Sequence, residues 1–258
     1  MRFKDQVVIV TGGGSGIGAA TARIFARDGA SVTVADIANQ DEVAKEITKV
    51  GGKAIAVRCD VSSSDSVQKM IEATISAFGR LDVMVSNAGV GVLSFAEGTS
   101  EEDWDRCQAI NVKGGFLCAK YAIPHLRNAG GGSILFTASV AGIQGVAGAL
   151  PYATSKGAVV NMTRTLALDH AHENIRVNVV CPGATDTPLL RSAPVPVEVI
   201  AAMQALGRVV TPEEIGEAFA YLASPVARCI TGQTLVIDSG ASAGDRSIVA
   251  NALKAGGP

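Results

Sequence analysis

Short apolar runs rich in β-branched residues alternate along this chain with longer segments whose apolar positions recur at helical spacing. The runs are nearly continuous, which is typical of strands that are covered on both faces of a sheet. They predict about seven strands, at residues 6–11, 31–35, 54–58, 81–86, 132–138, 176–181 and 234–237. The intervening segments predict helices at residues 17–28, 40–50, 65–78, 101–128, 151–172 and 212–223. This order predicts an α/β fold with a doubly wound parallel sheet and helices on both faces.

All 258 residues are predicted to form one domain, because no linker, repeat or low-complexity segment divides them. Residues 183–211 break the alternation with several prolines and only a weak helical pattern at residues 197–206. An irregular insertion of this length is often a lid over a site, although a plain surface loop would have the same pattern. After the last strand, residues 241–258 form a tail, in which residues 248–254 could make one or two helical turns or a frayed end.

The charge balance argues against nucleic acid or an anionic membrane as the main partner. The chain has 22 basic and 24 acidic residues, a net charge of −2, and no long block of either sign. With 48% hydrophobic residues, the chain is expected to bury surface between subunits. The five cysteines lack metal-ligand spacing and are interpreted as reduced core residues. We expect a cytoplasmic protein, since the N-terminus runs directly into a strand and no segment has membrane-spanning length.

A glycine-rich turn connects the first predicted strand to the first predicted helix. Its residues are Thr11-Gly12-Gly13-Gly14-Ser15-Gly16-Ile17-Gly18. Glycines let the backbone approach a pyrophosphate, and a helix N-terminus offers N–H donors to the anion. The strict Gly-x-Gly-x-x-Gly spacing fails from Gly12, because position 17 is isoleucine, and survives only as Gly14-x-Gly16-x-x-Ala19. Its place between a strand and a helix nevertheless predicts a Rossmann-type dinucleotide-binding unit.

Asp36 closes the second predicted strand, eighteen residues after Gly18. In a dinucleotide-binding fold, a carboxylate at this place accepts hydrogen bonds from the adenosine ribose hydroxyls. The 2′-phosphate of NADP would meet this negative charge, and neither Ile37 nor Ser15 supplies a compensating cation. The pattern therefore predicts NAD in preference to NADP, with a helix-capping or turn aspartate as the competing interpretation.

Tyr152 and Lys156 lie four residues apart at the start of a predicted helix, and so on one helical face. A tyrosine with a pKa of about 10 is a poor base at neutral pH, and a nearby ammonium favours the phenolate. Ser139, just past a predicted strand, could hydrogen-bond the substrate oxygen that exchanges a proton with Tyr152. A tyrosine packed at a helix start beside a solvated lysine would give the same local pattern.

Together these motifs resemble those of the short-chain dehydrogenase/reductase family, in its single-domain branch. The likeness extends from about residue 5 to residue 240. In chain order its motifs are the glycine turn, Asp60-Val61, Asn87-Ala88-Gly89, Asn111, Ser139, Tyr152-x-x-x-Lys156 and Pro182-Gly183. Their combined order and spacing make the resemblance specific.

The resemblance implies how NAD would be bound. Asp60 would bond the adenine amino group, Val61 would pack near the ring, and the segment from Pro182 to Thr187 would contact the nicotinamide side. The implied cofactor-binding residues are Gly12, Ser15, Gly16, Ile17, Gly18, Asp36, Asp60, Val61, Asn87, Ala88, Gly89, Tyr152, Lys156, Pro182, Gly183, Thr185 and Thr187.

The resemblance also implies a catalytic set. Ser139 would polarise the substrate oxygen, Tyr152 would be the general acid/base, and Lys156 would bond the nicotinamide ribose and lower the tyrosine pKa. Asn111 would distort its helix and hold a water that links Lys156 to solvent. The expected enzyme is an NAD-dependent short-chain alcohol dehydrogenase or ketoreductase. An NADPH-dependent 3-oxoacyl-carrier-protein reductase and a non-catalytic NAD(H)-sensing protein are the alternatives.

The substrate wall is predicted to include residues 91–95, residues 140–150 and the insertion after Thr187. These segments are apolar apart from a few groups such as Gln144 and Asp186, and they favour an uncharged, moderately apolar alcohol or ketone. Core packing would explain several of the same residues equally well. The family resemblance further implies a homotetramer, with the helices that start near residues 101 and 151 forming one interface.

Overall fold

The computed structural model describes residues 1–192 and 195–244. In this part of the chain, seven parallel strands form one sheet. The strands are β1 (Val7–Thr11), β2 (Ser31–Asp36), β3 (Lys53–Arg58), β4 (Val83–Ser86), β5 (Gly132–Thr137), β6 (Ile175–Pro182) and β7 (Thr234–Ile237). The α-helices are α1 (Gly16–Arg27), α2 (Gln40–Lys49), α3 (Ser64–Phe78), α4 (Glu101–Gln108), α5 (Gly114–Asn128), α6 (Leu150–His170), α7 (Pro188–Arg191), α8 (Val197–Met203) and α9 (Pro212–Ala223).

The strand order is β3-β2-β1-β4-β5-β6-β7. From β1 the chain builds one side of the sheet through β2 and β3, and it then returns to place β4 on the other side of β1. Val8 pairs with Val32 of β2 on one side and with Val83 of β4 on the other. In parallel α/β sheets, ligands bind beyond the carboxyl ends of the strands at such a switch point. The loops after β1 and β4 therefore lie side by side at the edge where a site is expected.

Two apolar layers cover the sheet. Val8 and Val10 face a cluster formed with α1, α2 and α9, whereas Ile9 faces a second cluster formed with α3, α5 and α6. Because successive side chains of a strand point to opposite faces, a strand covered on both faces is apolar at most of its positions. This arrangement confirms the predicted fold class and explains the nearly continuous apolar runs.

The predicted helix at residues 101–128 is the main correction to the predicted elements. The segment consists of α4, a π-helical turn at Ala109–Lys113 and then α5. A π turn adds a residue to the helical repeat, and such turns are often found at functional sites. In this protein the π turn carries Asn111, which is buried. The extra residue shifts the positions at which apolar residues recur, but the chain remains helical into α5.

Residues 183–211 contain the short helices α7 and α8, the second of which ends at Met203, short of the predicted residue 206. Thr187 begins α7 by accepting a hydrogen bond from the Leu190 N–H at 3.3 Å. The helical turns predicted for residues 248–254 lie outside the described residues. None of the helices in residues 1–192 and 195–244 is long and apolar enough to cross a membrane.

Candidate active site

A cavity of ≈ 710 Å³ opens at the carboxyl edge of the sheet, between the loops that follow β1, β4, β5 and β6. Nearly all the residues that the sequence marks as site residues line it. They are Gly12, Ser15, Gly16, Ile17, Asp36, Asp60, Val61, Asn87, Ala88, Gly89, Ser139, Tyr152, Lys156, Pro182, Gly183, Thr185 and Thr187. The other two, Gly18 and Asn111, lie behind this lining.

The glycine turn requires glycine for two reasons, a left-handed backbone at Gly12 and Gly16 and close packing at Gly18. Gly12 and Gly16 have φ angles of 63° and 49°, the left-handed region that favours glycine. Gly18 sits directly beneath the turn, where a Cβ atom would overlap the carbonyl oxygen of Gly12 and approach Asn87 Nδ2 to 2.6 Å. Gly18 therefore permits close packing of α1 against the turn, while Gly12 and Ser15 to Ile17 face the cavity.

Asp36 is held at the end of β2, beside the glycine turn. Its Oδ2 accepts the Gly14 N–H at 2.9 Å, and its Oδ1 accepts the Ile37 N–H at 2.7 Å. The structure also places a cation nearby that the sequence did not predict. Arg58 of β3 pairs in register with Asp36 and donates to the Ile37 carbonyl at 2.9 Å. Only the pairing of β2 with β3 could reveal Arg58, because it is 22 residues from Asp36 in the chain.

Asp60 and Val61 occupy the turn after β3. Asp60 Oδ1 accepts both the backbone N–H of Ser62 at 2.9 Å and its hydroxyl at 2.7 Å. Asp60 thus has the turn-forming contacts that its sequence position also allowed, and it lines the cavity as well. Val61 is buried against α5, where a Cβ on Gly114 would lie 2.8 Å from its side chain.

A chain of hydrogen bonds connects the glycine turn to Lys156. Asn87 Nδ2 donates to the carbonyl oxygen of Thr11 at 3.1 Å, and Asn87 Oδ1 accepts the Thr137 hydroxyl at 3.0 Å. The carbonyl oxygen of Thr137 then accepts a hydrogen bond from Lys156 Nζ at 2.9 Å. Three neighbouring strands, β1, β4 and β5, are therefore joined just where the cavity begins.

Ser139, Tyr152 and Lys156 meet on one side of the cavity. Ser139 follows β5, and its Oγ accepts the Ala141 N–H at 3.1 Å, which leaves its hydroxyl hydrogen free to be donated elsewhere. Tyr152 and Lys156 stand on successive turns of α6, with Lys156 Nζ 5.6 Å from the centroid of the tyrosine ring. The helical spacing seen in the sequence thus places the amine beside the phenol.

Burial is the largest cause of the pKa shifts of Tyr152 and Lys156 on α6. It lowers the pKa of Lys156 from 10.5 to about 8, because desolvation penalises the ammonium. It also raises the pKa of Tyr152, and a hydrogen bond with the Ser139 side chain acts in the opposite direction. The expected lowering of the tyrosine pKa by Lys156 is therefore not met in the protein by itself, since the amine and the phenol share the same desolvating environment.

Asn111 is buried behind the cavity wall on the π turn. Its amide makes a double contact with the Val90 backbone, accepting the N–H at 2.8 Å and donating to the carbonyl at 2.9 Å. Asn111 Nδ2 also donates to Ser155 Oγ at 2.9 Å. The expected helix distortion is present, and the Asn111 side chain links the loop after β4 to α6.

The segment after β6 folds back over the glycine turn. The Thr185 hydroxyl donates to the Gly183 carbonyl at 3.0 Å, and the Thr187 hydroxyl donates to the Thr185 carbonyl at 3.2 Å. A Cβ on Gly16 would lie 3.1 Å from the Thr187 methyl group. These contacts place the start of the insertion directly beside the N-terminus of α1.

The remaining wall of the cavity is apolar and includes Val90, Gly91, Leu93, Leu189 and Leu190. A Cβ on Gly91 would be 3.4 Å from Leu189 Cδ1, so the loop after β4 and helix α7 approach each other across the cavity. The prediction that residues 91–95 and the insertion contribute to the wall therefore agrees with the geometry in part.

Other parts of the predicted wall lie elsewhere. None of residues 140–150 lines the cavity, because the chain turns through a 3-10 helix at Val140–Gly142 and then runs outward. Gln144 is exposed on that stretch. Asp186 is half-buried outside the cavity and is held by Arg191 through contacts of 2.7 and 2.9 Å, which lower the pKa of the Asp186 carboxyl.

Within the described residues there is no cluster of three or more His, Cys, Asp or Glu side chains that could hold a metal ion.

Comparisons with known proteins agree with this geometry. A family model described as "Enoyl-(Acyl carrier protein) reductase" matches residues 12–242. Meso-2,3-butanediol dehydrogenase of Serratia marcescens is 42% identical over 248 residues, covering 95% of this chain and 98% of that protein. Cis-4-hydroxycyclohexanecarboxylate dehydrogenase of Sinomonas cyclohexanicum is 41% identical over 246 residues, covering 93% and 98%.

A solved structure is similar as well. The crystal structure of a short-chain type dehydrogenase/reductase from Mycobacterium marinum has a TM-score of 0.90 and 35% sequence identity, covering 94% of this chain and 97% of that one. The chain belongs to the short-chain dehydrogenase/reductase family.

Proposed function

We propose that the protein is an NAD-dependent dehydrogenase or ketoreductase that interconverts a neutral, moderately apolar secondary alcohol and the corresponding ketone. The observation that carries this proposal is a single cavity that brings Tyr152, Ser139 and Lys156 to one end and the glycine turn with Asp36 to the other. Both relatives described above are named as dehydrogenases of hydroxyl compounds, which supports the same reaction class.

The residues present fit a dinucleotide. The N-terminus of α1 has no acidic residue in its first turn, and its first N–H groups have no acceptor within the helix, so it can receive a pyrophosphate. A volume of ≈ 710 Å³ is within the usual range for cofactor pockets. Asp36 would receive the adenosine ribose hydroxyls and would repel a 2′-phosphate, which favours NAD. When bound, the nicotinamide supplies the hydride acceptor or donor.

The chain's own residues would handle the proton. In alcohol oxidation, Tyr152 would accept the hydroxyl proton while Ser139 donates a hydrogen bond to the substrate oxygen. Lys156 would donate to a ribose hydroxyl and supply positive charge near the phenol as the proton leaves. Because burial raises the Tyr152 pKa, we expect oxidation to be fastest at alkaline pH and the neutral phenol to be ready to donate a proton in ketone reduction.

Among the residues that line the cavity, the one cation is Lys156, which donates to the Thr137 carbonyl and is proposed to bind the cofactor ribose. Val90, Leu93, Leu189 and Leu190 surround the substrate end, and Arg191 is engaged by Asp186 outside the cavity. A substrate carboxylate would lose hydration there without gaining a partner, which is unfavourable. We therefore propose that neutral alcohols are preferred, in contrast to the hydroxy acid named for the Sinomonas relative.

A second candidate is reduction of a 3-oxoacyl group on a carrier protein with NADPH, because a 3-oxoacyl-[acyl-carrier-protein] reductase of Thermotoga maritima is 37% identical to this chain over 243 residues. The position of Asp36 at the cavity favours NAD and so weighs against this candidate. Comparing turnover with NADPH and NADH on a 3-oxoacyl thioester would decide between the two.

The test is a screen of secondary alcohols with NAD and NADP, followed at the nicotinamide absorbance. Cyclohexanol and 4-hydroxycyclohexanecarboxylate form a matched pair that differs by one carboxylate. We expect turnover with NAD and a higher kcat/KM for the neutral member. Faster turnover with NADP would contradict the coenzyme assignment, and preference for the carboxylate would contradict the substrate class. Tight NADH binding without turnover on any substrate would instead indicate a non-catalytic NAD(H)-sensing protein.

We also propose a homotetramer in which α5 and α6 contribute one interface. Phe116 on α5 is 47% exposed and Leu168 on α6 is 82% exposed, which is unfavourable for large apolar side chains in water. Sedimentation equilibrium at micromolar concentration should show four subunits, and a stable monomer would contradict this assembly.

A further inference from the structure

Ser155 is a buried hydroxyl on α6 that the catalytic roles above do not use. It lies between Tyr152 and Lys156 in the chain, and its side chain has no exposed surface. Its Oγ donates to the Tyr152 carbonyl at 2.7 Å and accepts a hydrogen bond from Asn111 Nδ2 at 2.9 Å. Ser155 thus joins the first turn of α6 to the π turn.

The donors and acceptors among Asn111, Ser155 and Tyr152 can be assigned in only one way. The Asn111 amide has two N–H donors, and the two acceptors at 2.9 Å are Ser155 Oγ and the Val90 carbonyl. Since Asn111 donates to Ser155, the single hydroxyl hydrogen of Ser155 must point to the Tyr152 carbonyl. Cys107 Sγ accepts from Asn111 Nδ2 at 3.5 Å and donates to Ser155 Oγ at 3.8 Å, and a thiol is too weak a hydrogen-bonding group to replace either contact.

We infer that Ser155 is a positioning residue for the proposed reaction, holding the Tyr152 turn of α6 against Asn111 so that the phenol stays between Ser139 and Lys156. This inference rests on the proposed function for its kinetic consequences. Ser155 touches neither the cavity nor a reacting atom, so it acts only through the residues that it connects.

Removing the hydroxyl would leave one buried N–H of Asn111 without a partner and would free the Tyr152 turn to shift. The groups that face Tyr152 are Ser139 after β5, Lys156 on α6, Cys107 on α4 and Cys181 on β6. The hydrogen bond with Ser139 opposes the effect of burial on the pKa of the phenol. A displaced phenol would lose that bond, so its ionisation should move to higher pH.

The experiment compares Ser155→Ala with Thr163→Val. Thr163 is a matched control on the same helix, because it is also fully buried and its hydroxyl donates to the Val159 carbonyl at 2.9 Å. Both variants lose one buried hydroxyl, but Thr163 does not line the cavity, and its hydroxyl donates to a carbonyl of its own helix rather than to the Tyr152 turn. For each variant we would measure the melting temperature, kcat, KM for NAD and the pH dependence of kcat/KM.

We expect Ser155→Ala to lower kcat by about ten- to a hundred-fold, as small displacements of catalytic groups do. The KM for NAD should change little, and the pH of half-maximal kcat/KM should rise by about half a unit or more. Thr163→Val should lower the melting temperature without moving the pH profile. An unchanged pH profile and kcat in Ser155→Ala would reduce Ser155 to a structural residue and overturn the inference.

Two additions make every outcome decisive. If Ser155→Ala does not fold, Ser155→Cys keeps the side-chain volume with a weaker hydrogen bond, and its pH midpoint should still rise. If the wild type turns over no alcohol, the proposed function fails while the inference is tested by ultraviolet titration. The phenolate signal of Tyr152 is isolated among the three tyrosines by subtracting Tyr152→Phe in each background. Equal Tyr152 titration with and without the Ser155 hydroxyl would then overturn the inference.

Discussion

Lys156→Met should make the protein more stable relative to wild type near neutral pH, and this advantage should disappear at alkaline pH. Methionine has a similar length and no charge, so it avoids the desolvation of the buried ammonium. The fall of the lysine pKa from 10.5 to about 8 corresponds to about 3 kcal/mol against the charged form in the folded state. The variant loses the hydrogen bond to the Thr137 carbonyl, which should cost about 1–3 kcal/mol.

The pH dependence separates these two effects. Below about pH 8 both folded and unfolded wild type carry the proton on Lys156, so the full penalty is present. Between about pH 8 and pH 10.5 the unfolded chain holds a proton that the folded chain has lost, and wild-type stability rises with pH. The neutral amine can still donate to the Thr137 carbonyl, so the variant lacks this contact at every pH. The free-energy advantage of the variant should therefore fall by about 2–3 kcal/mol between about pH 7 and about pH 10.

Urea unfolding followed by circular dichroism at several pH values would measure this difference. Lys45→Met is a suitable control, because Lys45 is exposed on α2 and its replacement removes no buried charge. The control should differ from wild type by the same amount at every pH. If the difference between Lys156→Met and wild type were equally constant, the ammonium would not be desolvated as the structure indicates, and the reasoning would be refuted.

Three further changes test the site. Gly18→Ala should unfold or strongly destabilise the protein in thermal unfolding, because its Cβ would overlap a carbonyl oxygen of the glycine turn. Gly157→Ala is the control: the nearest neighbour of its Cβ would be 3.6 Å away, so this variant should be neutral or up to about 1 kcal/mol stabilising. Asp36→Ala combined with Ile37→Arg should raise the NADP/NAD ratio of kcat/KM by about two to three orders of magnitude, since unit charges about 4 Å apart interact by about 4 kcal/mol near a protein surface. An unchanged ratio would show that Asp36 does not select the coenzyme. Tyr152→Phe should lower kcat by orders of magnitude while the Kd for NADH, measured by fluorescence, stays within a few-fold; near-normal turnover would exclude the phenol as acid/base.

Local patterns in the sequence were sufficient to predict the architecture. A parallel sheet covered on both faces requires continuous apolar strands, and those runs predicted the strands to within about two residues of their observed ends. Most of the cavity lining was predicted from the motifs of the family resemblance, and the fold brings these motifs together because the carboxyl ends of parallel strands meet at one edge. Motifs placed after consecutive strands, such as Asn87 and Ser139, must then lie near one another.

Tertiary structure alone decided the electrostatics and the contacts between distant segments. The spacing of Tyr152 and Lys156 predicts their proximity, but only burial determines that the lysine pKa falls while the tyrosine pKa rises. The link from Asn111 to Ser155 spans 44 residues and depends on a π turn that an apolar repeat cannot distinguish from a regular helix. Periodicity records which face of an element is covered, whereas desolvation and hydrogen bonding depend on which other element covers it.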